Sequence, residues 1–120
     1  MHYKGSTGHA GNLHEFVDKV VEVIRVRKLE FDFVAVKGIS GLTIGPVVAY
    51  LLGKGLCVIN SEDTPSPHRK LECIVLRPGS GTQRYIIVDD FVDSGRTVKY
   101  IKDMLYDMEH VDTVLYDSIA

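Results

Sequence analysis

Apolar positions along the chain keep two different periods. Leu13, Phe16, Val17, Val20, Val21 and Ile24 fall at steps of three and four, with Asp18, Lys19 and Glu22 between them, which is the spacing of one amphipathic helix face. Phe31 to Val36, FDFVAV, is short, apolar and β-branched and reads as a strand. It stops at KGISG, where two glycines allow a tight backbone turn. From Leu42 to Leu52 the apolar positions are nearly continuous, predicting a helix buried on more than one face and closed by Gly53-Lys54-Gly55. Pro46 is expected in the first turn of that helix, where a missing N–H costs nothing. LCVIN, Leu56 to Asn60, predicts a second strand, and SEDTPSPHRK a loop. LECIVLR from Leu71 and RYIIVDD from Arg84 are two more strands, and the short PGSGTQ between them allows a hairpin. Val98, Ile101, Leu105 and Met108 mark the inner face of another helix, and Val111 to Tyr116 a last strand.

Strands of the FVAV, YIIV and VDTVLY kind alternating with helices predict an α/β fold, a mainly parallel five-stranded sheet flanked by helices, with residues 1–120 as a single domain. Ligands of such folds gather at the carboxyl ends of the strands. Two polar, glycine-containing turns fall there: Lys37 to Gly41 and Asp89 to Thr97.

Composition narrows the ligand. A formal net charge of -2 over 120 residues provides no basic field for nucleic acid, so an anion has to be held by local geometry. No apolar run reaches the roughly 20 residues of a membrane span, and the opening MHYKGSTGHAGNLHEF lacks the layout of a signal peptide, so a cytoplasmic protein is expected. Cys57 and Cys73 read as two buried thiols, and His9 with His14 as solvent-facing side chains without a third ligand.

A helix starting near Gly95 exposes unpaired N–H groups and the positive end of its dipole, which suits a phosphate; Ser94 and Thr97 add hydroxyls and Arg96 a charge. The plain alternative is an N-cap at Asp93 or Ser94, worth about 1 kcal/mol. Asp89 and Asp90 end the preceding strand, where adjacent side chains project to opposite sides unless the chain turns. They are either a solvated strand end or acceptors for a vicinal diol, also able to position Mg2+ brought in by a polyphosphate. Lys37 with Gly38, Ile39, Ser40 and Gly41 outlines a second anion site suited to a diphosphate.

With these residues in view, IIVDDFVDSGRTV, Ile86 to Val98, resembles the signature of the type I phosphoribosyltransferases, and VKGISGLTIGPVVAYLLGKGLCVI, Val36 to Ile59, resembles their pyrophosphate loop, helix and next strand. The likeness covers most of Phe31 to Tyr116 and is closest to the purine (6-oxopurine) enzymes. It implies that Asp89 and Asp90 bind the ribose hydroxyls of phosphoribosyl pyrophosphate, that Asp93, Ser94, Gly95, Arg96 and Thr97 hold its 5-phosphate, and that Lys37 to Gly41 hold its pyrophosphate. It further implies base contacts at Phe91, Tyr116 and Asp117, Mg2+ as cofactor, a closing loop over Ser61 to Lys70, and a homodimer. The implied reaction, in nucleotide salvage, is displacement of pyrophosphate from ribose C1 by a nucleobase nitrogen, with Asp93 as general base or as a plain N-cap.

Three departures qualify the match. Asn60-Ser61-Glu62 stands where many relatives carry Arg-Lys. Asp117 stands where the 6-oxopurine enzymes carry a lysine and suits an amino-bearing base, whereas Asp93 suits an oxopurine. The chain also leaves little for a base-covering hood beyond Met1 to Asn12. A transferase is the leading expectation; a non-catalytic sensor of phosphoribosyl pyrophosphate or a nucleotide on the same fold is the alternative. A receiver-type domain, with Asp89 and Asp90 holding Mg2+, is the third, and it has no use for two anion turns.

Overall fold

The computed structural model describes residues 4–59, 71–75, 83–90 and 94–116, with side chains at 13–38, 43–59, 83–90 and 94–116. The elements in chain order are α1 (Lys4–Val26), β1 (Phe33–Lys37), α2 (Gly38–Leu52), β2 (Gly55–Ile59), β3 (Leu71–Val75), β4 (Arg84–Asp90), α3 (Ser94–Met104) and β5 (Glu109–Tyr116). They form one five-stranded sheet in the order β3-β2-β1-β4-β5. β1 runs parallel to β2 and β4, β5 parallel to β4, and β3 antiparallel to β2.

Period-two alternation divides the core into two layers. Val34, Val36, Leu56, Val58, Ile86, Val88, Val114 and Tyr116 face α1 and α2, where they meet Val17, Val20, Ile24, Ile44 and Val48. Phe33, Ala35, Cys57, Ile59, Tyr85 and Ile87 face α3 and meet Ile101 and Leu105. Helices on both faces are what the unbroken apolar strands required.

Several boundaries differ from expectation for identifiable reasons. β3 and β4 form no hairpin: both edges of β4 are occupied, by β1 and β5, and β3 pairs with β2 instead. β4 is buried from Tyr85 to Asp90, so it takes a central place whatever the length of the preceding connection. α1 starts at Lys4, well before the first apolar repeat. KGISG is not a turn. Gly38, at φ 75°, makes the whole change from strand to helix in one residue, leaving Ile39, Ser40 and Gly41 for the first turn of α2. Pro46 therefore lies in the interior of α2, where it removes one i to i−4 hydrogen bond. Burial of Ile44, Val48 and Ala49 keeps the helix on the sheet through that gap. α2 ends as its glycine predicts: Gly53 is left-handed, and the Gly53 and Lys54 amides donate to the Tyr50 and Ala49 carbonyls at 3.2 and 2.9 Å, the Schellman arrangement.

Candidate functional site

β1 and β4 are neighbours in parallel, paired Phe33 with Tyr85, Val34 with Ile86 and Ala35 with Ile87. Two residues further along that register Lys37 comes level with Asp89, so the two polar segments meet at one end of the sheet. A helix begins at each strand end, α2 at Gly38 and α3 at Ser94. The first turn of each contains no acidic residue, and Lys37, the α2 cap position, makes no side-chain capping bond. The positive helix ends are thus not neutralised by carboxylates of their own first turns. Among the described residues a Cβ added at Gly38 or at Gly95 would meet nothing within 4 Å, and a glycine lets a group approach the backbone closely.

The strand continues regularly through Asp90, so no turn intervenes between the two acids. Ile87 belongs to the α3-side layer and Val88 to the α1 and α2 side, so alternation puts Asp89 on the α3 face and Asp90 on the opposite one. Both are buried, at 4% and 9% exposure, which rules against the reading of a solvated strand end. Carboxylates withdrawn from water to that degree need polar or cationic company. Hard oxygens of this kind fit Mg2+ as part of a shell otherwise supplied by a ligand. Among the described residues no group of three or more His, Cys, Asp or Glu converges to make a cation cage by itself.

The other expected site residues fall into three groups. Ser94 and Thr97 are half-buried in the first turn of α3, with Gly95 and Arg96 exposed beside them. Tyr116, expected at the base, has its ring in the core, 5.8 Å from the Phe16 ring centroid and 5% exposed. It is primarily a packing residue, because position 116 shares the α1-facing side of β5 with Val114. A largely apolar groove of about 420 Å³ lies beside it, lined by Phe16, Val20, Val23, Leu115 and Tyr116 with Lys19 and Glu22. Phe91, Asp93, Asp117 and the segment Ser61 to Lys70, expected as a closing loop, lie outside the described residues.

Lys37 is half-buried, and its Nζ lies 5.2 Å from the ring centroid of Tyr100 on α3. Tyr100 carries no signal in the sequence: nothing local distinguishes it, since its partner ends a strand far earlier in the chain. The groups with shifted ionisation lie away from the site. Tyr85 and His110 are register partners near the amino ends of β4 and β5; burial pushes the Tyr85 phenol up, and burial followed by the Lys102 charge pushes His110 down.

No protein-family model matches the chain. Among curated proteins, the transcriptional regulator GfcR of Methanocaldococcus jannaschii is 30% identical over 96 residues, 77% of this chain and 46% of the regulator. The chain therefore spans less than half the length of that relative. Among solved structures, adenine phosphoribosyltransferase of Thermoanaerobacter pseudethanolicus superposes with a TM-score of 0.63 at 16% identity, over 88% of this chain and 68% of that one. Orotate phosphoribosyltransferase of Francisella tularensis gives 0.66 at 11%, over 88% and 51%. Purine phosphoribosyltransferase of Pyrococcus horikoshii gives 0.55 at 16%, over 90% and 76%. The chain has the type I phosphoribosyltransferase fold, a mainly parallel sheet flanked by helices. No helix among the described residues is long and apolar enough to cross a membrane.

Proposed function

We propose that this chain binds phosphoribosyl pyrophosphate at the carboxyl ends of β1 and β4 and transfers its ribose 5-phosphate to a nucleobase, with a purine as the first candidate. The observation that carries the reading is the pair of open helix ends on neighbouring strands with two buried carboxylates between them. Two anion cradles flanking a diol acceptor match a ligand with phosphate at one end, diphosphate at the other and ribose hydroxyls in between. The α3 amides with Ser94 and Thr97 take the 5-phosphate, the first turn of α2 takes the diphosphate, and Asp89 and Asp90 accept hydrogen bonds from the hydroxyls. Mg2+, when bound with the ligand, supplies charge neutralisation for the departing diphosphate.

In the proposed reaction the C1–O bond to diphosphate breaks, a C1–N bond to the base forms, and the base nitrogen loses its proton to Asp93. The cationic character developing at C1 makes exclusion of water and stabilisation of the leaving group the main catalytic contributions. The base would sit by Phe91, Tyr116 and Asp117, next to the groove under α1, and the working form would be a cytoplasmic homodimer.

A second reading keeps the binding and drops the transfer: a sensor of phosphoribosyl pyrophosphate or a nucleotide. It is favoured by the likeness to a transcriptional regulator and by Asn60-Ser61-Glu62 in place of a basic pair. Calorimetry with phosphoribosyl pyrophosphate and Mg2+ tests what the two share, and absence of binding at millimolar ligand removes both. Pyrophosphate release over a panel of adenine, hypoxanthine, guanine, xanthine, uracil and orotate separates them, since binding without release from any base selects the sensor.

A further inference from the structure

Lys37 closes β1, and its odd position puts it on the same sheet face as Phe33 and Ala35, the face that α3 covers. Its ammonium lies 5.2 Å from the centroid of the Tyr100 ring. That is within the roughly 6 Å over which a ring face attracts a cation. Side chains on a helix lean toward its amino end, so the Tyr100 ring reaches back along α3 toward the turn of Ser94 to Thr97. α2, by contrast, packs on the other face of the sheet through Ile44, Val48 and Ala49. The local sequence pairs Lys37 with the glycines that follow it, and hence with a diphosphate; the side chain takes the opposite course.

We propose that Tyr100 is a positioning residue that holds the Lys37 ammonium on the α3 side of the sheet, assigning this charge to the 5-phosphate end of the ligand instead of its diphosphate end. The inference rests on the reading of the site given above and refines it. A lysine carries considerable rotamer entropy, and a ring beneath the ammonium removes part of that freedom before the anion arrives. The contact uses the ring face alone. Among the described residues the buried Tyr100 hydroxyl has no hydrogen-bond partner, and the ring alone accounts for the contact with Lys37.

Two fragments of the ligand separate the ends: ribose 5-phosphate and inorganic pyrophosphate, each titrated by calorimetry with Mg2+ present. Tyr100→Leu is expected to weaken ribose 5-phosphate binding about three- to tenfold, the range of a partly desolvated cation–π contact, and to leave pyrophosphate within about twofold. Tyr100→Phe keeps the ring and is expected to match the wild type with both probes, a rescue that loss of packing alone would not produce. In a Lys37→Ala background Tyr100→Leu should have no further effect on ribose 5-phosphate. Thermal melts of each variant identify any that fail to fold; for such a variant the upfield ring-current shift of the Lys37 ε-protons, present in wild type and Tyr100→Phe, replaces the Leu comparison. Unchanged ribose 5-phosphate affinity in folded Tyr100→Leu, a loss of equal or greater size for pyrophosphate, or a lysine spectrum without the shift overturns the assignment while leaving the proposed function standing. Wild-type protein that binds neither fragment nor phosphoribosyl pyrophosphate overturns both.

Discussion

Gly45 lies on the face of α2 turned toward β1, and a Cβ placed there would be 2.5 Å from Cγ1 and 3.3 Å from Cγ2 of Val36. Carbon atoms in good contact sit about 3.5–4.0 Å apart, so Gly45→Ala drives a methyl about 1 Å too deep into its neighbour. Val36 has little freedom to yield. It is fully buried, and its strand is hydrogen-bonded on both sides, by β2 and β4. Overpacking of this kind costs about 1–3 kcal/mol, whereas replacing a helix-interior glycine by alanine returns about 1 kcal/mol of helix propensity. The net expectation for Gly45→Ala is a loss of about 0–2 kcal/mol. That is the opposite sign to the gain expected if Gly45 were merely a weak helix residue.

The sharper test is the cycle with Val36→Ala, which alone removes two buried methyl groups and leaves a cavity, at a cost of about 2 kcal/mol. In the double variant the new alanine methyl occupies part of the space that Val36 vacates. The two costs should then fall short of their sum by at least about 1 kcal/mol, beyond the few tenths by which independent sites depart from additivity. Urea unfolding of the four proteins measures this from the midpoints at a common slope. Additive effects, or a stabilised Gly45→Ala, would mean that α2 does not approach β1 this closely. The start of α2 over Lys37 would then lose its positional basis, because the same approach fixes where the Gly38 to Gly41 amides stand.

The remaining expectations concern the site and one distant group. Asp89→Asn with Asp90→Asn should abolish binding of phosphoribosyl pyrophosphate in calorimetry, with a thermal melt to establish that the double variant is folded; retained binding would refute the diol assignment. Asp93→Asn should leave binding within several-fold and cut turnover, and intact turnover would return Asp93 to a plain N-cap. His110 is held below its ordinary value of 6.5 by burial and then by Lys102, so the folded state takes up fewer protons than the unfolded chain. Its contribution to stability is present above pH 6.5 and lost as pH falls through the folded value. His110→Gln should flatten the decline of the urea midpoint between pH 7 and 5, and an imidazole NMR titration with a midpoint at or above 6.5 would contradict the assignment.

The features legible in the sequence are those that local pattern decides. β4 runs from Arg84 to Asp90 as read from RYIIVDD, because a strand covered on both faces has an unbroken apolar middle, here Tyr85 to Val88. The start of α2 was not legible. Two glycines in KGISG suggested a turn of several residues, and only the geometry shows that one left-handed glycine suffices. The absent hairpin is a case of competition: a short connection permits pairing of β3 with β4, but burial on both faces of β4 assigns its edges elsewhere. The contact of Lys37 with Tyr100 joins the end of β1 to α3, the fifth element after it in the chain, and no spacing rule reaches it.

The position of the site follows from the order of the strands. From β1 the chain passes through α2 to β2 on one side, and from β4 through α3 to β5 on the other. β1 and β4 therefore flank the point where the winding reverses, the place where open α/β sheets bind ligands. Because α2 and α3 cover opposite faces, their amino ends open from opposite sides of one crevice, and a ligand touching both has to straddle the end of the sheet. Adjacent acids at the tip of β4 then cease to be awkward. Their opposite facing puts one carboxylate on each side of the strand end, as the proposed contact with a diol lying across it requires. Every part of the proposed sugar-phosphate site comes from strand-to-helix units contiguous in sequence, whereas the base contacts proposed at Phe91, Tyr116 and Asp117 come from separate segments. The fold that carries this crevice is shared with solved structures of adenine, orotate and purine phosphoribosyltransferases.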